Sequence, residues 1–168
     1  FCEISFYPYI NEQGQITNVV VVTNDITDRK RAEEALQESE MQLRALFEAA
    51  VDGIIMITED CIIRSVNPAV ERIFQYEARE LVGQNVKILM PSPYKEQHDQ
   101  FVENYLQTGE KKIIGIGQEV VGQRKDGTTF PLDLSVAEIK LGDQRFFMSI
   151  LRDITERKRA EQELRNLS

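Results

Sequence analysis

The sequence contains few of the residues on which metal clusters and disulfide frameworks depend. It has two cysteines, Cys2 and Cys61, and one histidine among 168 residues. Structural zinc needs about four Cys or His ligands, so this composition excludes that class of site. Two cysteines do not make a disulfide framework, and in the absence of an export signal we expect both to be reduced thiols in a cytoplasmic setting.

Long apolar runs and an excess of positive charge are also missing. No run is long enough to span a bilayer. Lys and Arg number 20 against 28 Asp and Glu, and the net charge of −8 argues against nucleic acid or an anionic membrane surface as a partner. No targeting segment is recognisable at Phe1, so the sequence is expected to be part of a longer protein.

Catalytic motifs are absent as well. The sequence has no kinase or cyclase motif, and "GIG" at 115–117 lies inside a strand pattern, so it is not a phosphate-binding loop. We therefore expect a chain that is not an enzyme, with any catalytic output in parts of the protein outside it.

A repeat divides the sequence. "DITDRKRAEEAL" at 25–36 returns as "DITERKRAEQEL" at 153–164. Each copy follows a β-rich run and predicts a last strand entering a helix, with Thr27 or Thr155 as the N-cap. The spacing is too long for a solenoid and fits tandem domains of one kind. The expected organisation is a remnant of a preceding domain at 1–24, a signalling helix at 25–47, a central domain at 48–152 and an exit helix at 153–168.

The first repeated helix carries a possible dimer contact. Leu36, Leu43 and Ala50 recur at heptad spacing, with Leu46 between them. This pattern is typical of a short seam against a parallel partner helix. A helix packing on its own domain would show the same pattern, so periodicity leaves both interpretations open.

The residues between the two helices predict an α+β domain. "GIIMITEDCIIRSVN" at 53–67 is typical of a β-hairpin, and Asn67 with Pro68 is a strong helix start. A later helix follows Pro93 and ends at Gly109. Three strand-like segments come after it, and together they favour an antiparallel sheet that covers a helical side. These segments are 112–124, 128–139 and 145–152.

This order of elements, the "DIT" exit and the "RKRAE" helix resemble the PAS sensor domain over nearly the whole chain. Within it, "ILMPSPYKEQHD", "TGEKKIIGIG" and "GQRKDGTTFPLDLSV" are similar to the oxygen-sensing haem PAS domain of FixL-type histidine kinases. The resemblance implies the PAS fold, an antiparallel sheet with helices on one side. It also implies a sensory relay module, a homodimer through the flanking helices, and a downstream output domain.

The histidine, His98, shares one face of its predicted helix with Tyr94, Phe101 and Tyr105. The residue pattern alone favours a core histidine that is satisfied by a hydrogen bond. The resemblance instead implies that His98 is the ligand of haem b, which would bind oxygen or another diatomic gas. A PAS module without cofactor, and a pocket for a flavin or a small metabolite, stay open as alternatives. Flavin is disfavoured because Cys61 lacks the surrounding motif of flavin-adduct photosensors.

The resemblance places the rest of the haem pocket near the sheet. It implies apolar distal residues at Ile113, Leu134 and Val136, which an ordinary sheet core would also explain. Lys112 matches a basic position near the haem propionates. Asn104 and Gln118 stand where the family pattern has arginines. A glutamine amide can donate a hydrogen bond but carries no charge, so weaker oxygen binding is expected.

Overall fold

Alternating apolar residues build two separate antiparallel sheets. The structure, a computed structural model, describes residues 1–109 and 117–167. The chain divides into two compact units, Phe1–Ala45 and the residues from Leu46 onward. Among the described residues no helix is both long and apolar enough to cross a membrane.

The first unit is a hairpin followed by a helix. Strands β1 (Cys2–Ile10) and β2 (Ile16–Asp25) pair antiparallel, and helix α1 spans Thr27–Ala49, so its last residues belong to the second unit. Nearly all hairpin side chains are exposed, including the valines at 19–22. A two-stranded sheet that is open on both faces is at best marginally stable by itself.

The second unit is a five-stranded antiparallel sheet with helical segments, which confirms the predicted α+β class. The strand order is β4-β3-β7-β6-β5. A short 3₁₀ turn, Val86–Leu89, precedes α4. The elements are β3 Gly53–Thr58, β4 Ile63–Val66, α2 Pro68–Phe74, α3 Ala78–Leu81, α4 Tyr94–Thr108, β5 Gln118–Gln123, β6 Thr129–Leu141, β7 Gln144–Asp153 and α5 Thr155–Asn166.

The buried amide of Asn67 starts α2, as the Asn-Pro pair predicts, and it also joins α2 to the β3–β4 hairpin and to the end of α1. Asn67 is the N-cap of α2 and its side-chain oxygen accepts from the backbone N–H of Val70 (3.3 Å) and of Ile54 (2.8 Å). Its side-chain nitrogen donates to the carbonyls of Phe47 (3.2 Å) and Asp52 (3.0 Å). The end of α1, the start of β3 and the start of α2 are therefore fixed to the same side chain.

The prediction that Thr27 and Thr155 are N-caps is wrong. Both are the first helical residue, and the N-cap position of α5 is Ile154. An aspartate two residues before each threonine makes the capping contact instead. Asp25 and Asp153 accept from the threonine backbone N–H at 2.9 Å in both copies and from its hydroxyl at 2.6 and 2.5 Å. The side chain that precedes the helix satisfies its first donors.

The core of the second unit lies on the inner face of the sheet. Phe130 and Leu132 of β6 are buried, which confirms the predicted alternation of this strand. Gly122 of β5 pairs with Phe130. A Cβ on Gly122 would lie 2.6 Å from Leu132 Cδ2 and 2.9 Å from two ring carbons of Phe130. The close approach of these two side chains to β5 therefore requires glycine at this position.

We predict that Gly122→Ala lowers the free energy of unfolding by about 1–3 kcal/mol, because the added methyl overpacks the core. Urea denaturation of the 168-residue chain measures this change. Gly117→Ala is the matched control, since among the described residues its Cβ would meet only the Ser135 hydroxyl oxygen, at 3.6 Å. Equal stability of the two variants would contradict the packing described for Gly122.

Candidate functional site

An apolar cavity of about 220 Å³ lies between the inner face of the sheet and α4. Strands β3, β5, β6 and β7 supply one wall, and α4 supplies another. The lining is mostly aliphatic and aromatic, with few polar groups. An apolar cavity with a small number of polar groups is the usual form of a small-molecule site.

His98 of α4 lines this cavity and carries an unsatisfied polar atom. Within the described ranges, 1–109 and 117–167, its Nδ1 is the one buried side-chain nitrogen or oxygen without a hydrogen-bond partner. The unpaired Nδ1 differs from the expectation of the residue pattern alone, which favours a core histidine satisfied by a hydrogen bond. Buried polar atoms are nearly always paired, so an unpaired one at a cavity wall points to a missing partner.

Electrostatics keep the imidazole neutral. Burial lowers the pKa of His98 below its ordinary value, the Asp99 carboxylate opposes this shift, and Lys87 adds to it. A neutral imidazole has the free nitrogen lone pair that metal coordination requires. His98 is thus in the protonation state of a ligand at neutral pH.

Cys61 lines the same cavity but is poorly suited to bind a metal. Burial, together with the charges of Asp99 and Asp60, raises the pKa of its thiol to about 11. The thiolate is the form that coordinates metals, and it is scarce at neutral pH for such a group. In the part of the chain that the structure describes, no three His, Cys, Asp or Glu side chains cluster as metal ligands would.

The other predicted site residues fall into three groups. Leu134 and Val136 of β6 line the cavity, as does Asn104 of α4. Gln118, the first residue of β5, is exposed and pairs with Leu134 in the sheet register; it is not among the described cavity-lining residues. Lys112 and Ile113 lie outside the described residues. The ligand roles of all these residues stay predictions.

Ser149 is a cavity residue that the sequence analysis missed. It is one of two buried polar residues among those described, and it faces the cavity from β7. The inward positions of "RFFMSILR" could have shown it, since Ser149 alternates with Phe147 and Leu151 on the buried face. A hydroxyl there adds a polar group to the sheet wall.

Helix α4 is held by half-buried side chains such as Val102 and by a few polar contacts. Lys87 forms an ion pair with Asp99 at 2.7 Å. Tyr105 donates a hydrogen bond to Glu138 of β6 at 2.5 Å and packs edge-on against Phe147, with ring centroids 5.8 Å apart. None of its fifteen residues, all of them described, is fully buried. The helix that carries His98 can therefore shift at lower cost than the core elements.

Comparison with known proteins agrees with this fold. Residues 51–156 match the family model of the PAS domain. The chain belongs to the PAS domain family.

Its curated relatives include a sensor protein and a histidine kinase. Sensor protein FixL of Bradyrhizobium diazoefficiens is 38% identical over 157 residues, which is 94% of this chain and 31% of that protein. The cell-division control histidine kinase PdhS of Brucella anthropi is 30% identical, covering 83% of this chain and 13% of that protein. The chain therefore spans less than a third of the length of either relative.

Solved structures show the same fold. The PAS domain of an HTR-like protein from Haloarcula marismortui matches 74% of this chain and 99% of that one, with a TM-score of 0.61 and 25% identity. An RNA-binding light-oxygen-voltage receptor matches 99% of this chain and 42% of that one, with a TM-score of 0.62 and 19% identity. The second likeness, at this identity, concerns the fold alone.

Proposed function

We propose that this PAS domain is a sensory module that holds haem b through His98, senses a diatomic gas, with oxygen the best candidate, and relays its state to a downstream output domain. The observation that carries the proposal is the buried, unpaired Nδ1 of His98 at the wall of an apolar cavity. The similarity to sensor protein FixL supports it.

The donor chemistry of the cavity fits haem better than another metal group. Haem iron takes its four equatorial ligands from the porphyrin and needs a single axial donor from the protein, such as a neutral histidine. The described residues offer one such donor and no cluster of three. When bound, haem supplies an iron site for a diatomic gas, while His98 holds the group and the aliphatic walls exclude water.

The size of the cavity sets a condition on this proposal. Its volume of about 220 Å³ is below the roughly 300–1,000 Å³ of a typical ligand site, so haem requires a wider opening. Helix α4 is the element able to provide it, because it has no fully buried residue and its ties to the sheet include the Tyr105 hydrogen bond to Glu138. We propose that α4 moves outward when haem binds.

The same volume favours a second candidate, a pocket for a smaller apolar metabolite. A cavity of about 220 Å³ would accept such a ligand without any movement of α4. The absorption spectrum of the purified protein separates the candidates. A Soret band indicates haem, flavin bands indicate flavin, and a colourless protein that stays colourless with added haem favours the metabolite pocket or a module without cofactor.

We also propose the domain organisation that the repeat predicts: a remnant of a preceding PAS domain at 1–24, a signalling helix at 25–47, the PAS domain at 48–152 and an exit helix at 153–168. The two aspartate-capped helix starts support it. So do two matching backbone bonds, from Ile26 N–H to the Phe1 carbonyl at 3.1 Å and from Ile154 N–H to the Pro131 carbonyl at 3.2 Å.

The signalling helix is proposed to form a homodimer contact. Leu36, Leu43 and Leu46 of α1 are all more than 60% exposed, and Ala50 follows the last residue of the helix. Leucines at heptad spacing on an otherwise polar helix are typical of a coiled-coil seam. Their exposure favours this interpretation over packing within the chain.

We expect His98→Ala to abolish stoichiometric haem binding and to leave the fold intact, because the variant lacks the one imidazole among the described cavity residues. Haem titration followed at the Soret band measures binding, and circular dichroism checks the fold. Cys61→Ser is the matched control, since it changes another side chain of the cavity wall that could in principle ligate iron and should retain haem. Haem binding by His98→Ala at the wild-type level would refute the ligand assignment.

We expect Gln118→Arg to tighten oxygen binding by the haem-loaded protein and to slow oxygen release. A charged donor forms a stronger hydrogen bond than an amide, by about 0.5–2 kcal/mol, which is a few-fold to thirtyfold in affinity. Carbon monoxide, which is less polar when bound, should be affected much less. Stopped-flow measurement of both gases checks this, and unchanged oxygen kinetics would place position 118 away from the gas.

Replacing Leu36 and Leu43 together with Lys should shift the protein toward monomer, because two charges in a helix seam are costly to bury. Sedimentation velocity reads the association state. Gln37→Lys with Ala45→Lys adds the same charge at exposed positions away from the seam and serves as the control. If both double variants sediment like the wild type, α1 makes no dimer contact.

A further inference from the structure

A network of charges ties the exit helix α5 to β5 and β6, two of the four strands that form the sheet wall of the cavity. The Arg157 guanidinium contacts a Glu119 oxygen of β5 at 2.7 Å and an Asp133 oxygen of β6 at 3.1 Å. Lys158 contacts the second Glu119 oxygen at 2.6 Å. One residue of the helix thus holds both strands.

The arrangement on the sheet gives Arg157 a specific task. Glu119 and Asp133 are directly paired in the register of β5 and β6. Like charges in this position repel each other unless a cation lies between them. Hydrogen bonding from Lys158 holds the pKa of Glu119 below its usual range, and Arg157 lowers this pKa further. Arg157 therefore bridges the two facing carboxyl groups.

The residues next to this pair lie on the cavity side. Side chains alternate between the two faces of a strand, so the neighbours of an outward carboxylate point inward. Val120 follows Glu119, while Leu132 and Leu134 flank Asp133, and all three line the cavity. A change in the spacing of β5 and β6 at the cavity therefore changes the distance between the two carboxylates that Arg157 bridges.

We propose that the contact of Arg157 with Glu119 and Asp133 couples the cavity wall to the exit helix, so that separation of β5 from β6 loosens the start of α5. This proposal rests on the proposed function, in which the cavity is the sensory site and α5 leads to the output. The ion pairs are about half exposed, so each is weak. Weak contacts suit a device that must release, since a buried pair would hold the helix in both states.

The test is a double-mutant cycle read by amide hydrogen exchange of Thr155–Asn166 in the whole 168-residue chain. Glu119→Gln breaks the coupling contact, and Gly122→Ala pushes on the same wall because its Cβ would overlap Leu132 and Phe130. Val120→Ile, which adds one methylene to this wall, replaces Gly122→Ala if that variant does not fold. Glu156→Gln removes the same charge from the first turn of α5, outside the network, and is the matched control.

Glu119→Gln alone should speed exchange at the start of α5 by about 1.5- to 5-fold, as expected for the loss of an exposed ion pair. With Glu119 present, the wall variant should also speed this exchange. With Glu119 replaced by Gln, the wall variant should speed the exchange by much less. The control should leave the response to the wall variant intact. An equal response with and without Glu119, or no response of α5 to either wall variant, would overturn the coupling.

This cycle needs no cofactor, so its result is separate from the proposed function. Haem titration of Glu119→Gln should still saturate, with an affinity within about fivefold of the wild type, because Glu119 is not among the described cavity-lining residues and a coupling carried by exposed ion pairs is weak. Failure of the wild type to bind haem would contradict the haem proposal and leave the outcome of the exchange cycle to decide the coupling.

Discussion

The central constraint on this domain is that the apolar face of its five-stranded antiparallel sheet must be covered. Near β3 and β4 this is achieved by the short segments between Asn67 and Leu89, whose side chains Val70, Phe74 and Leu81 are almost completely buried. Over the remainder of the face lies α4, which contributes no fully buried residue. The cavity lies between these well-packed segments and α4. Gly122 keeps the β5 wall of the cavity close to the core.

The same constraint explains why His98 is the informative residue. Its position on α4 takes it away from water without giving Nδ1 a partner among the described residues. An unsatisfied buried nitrogen costs free energy, and a sequence retains such a cost most readily where a bound group recovers it. The absence of a fully buried residue in α4 agrees with this interpretation, because a ligand larger than the cavity can enter when this helix moves. Ion pairs on the outer face of β5 and β6 then connect the cavity wall to α5.

Much of this fold follows from local sequence, and the parts that do not are long-range. The alternation in β6, the Asn67 helix start and the Gly109 helix end were predicted because each depends on a few neighbouring residues. The capping of α5 by Asp153 was missed because threonine and aspartate are both good caps, and only the geometry shows which one acts. The unpaired state of His98 Nδ1 and the bridge from Arg157 to two strands depend on which elements meet in space. Residue type alone favoured an ordinary core histidine at 98, and the resemblance pointed to a ligand.

Haem titration of the purified wild-type chain tests the central claim most directly. The account predicts a Soret band that saturates at about one haem per chain, with the ferrous spectrum of a five-coordinate, histidine-ligated iron. A titration in which haem stays unbound, or binds without saturating near that ratio, would contradict the account and leave the cavity to a smaller ligand.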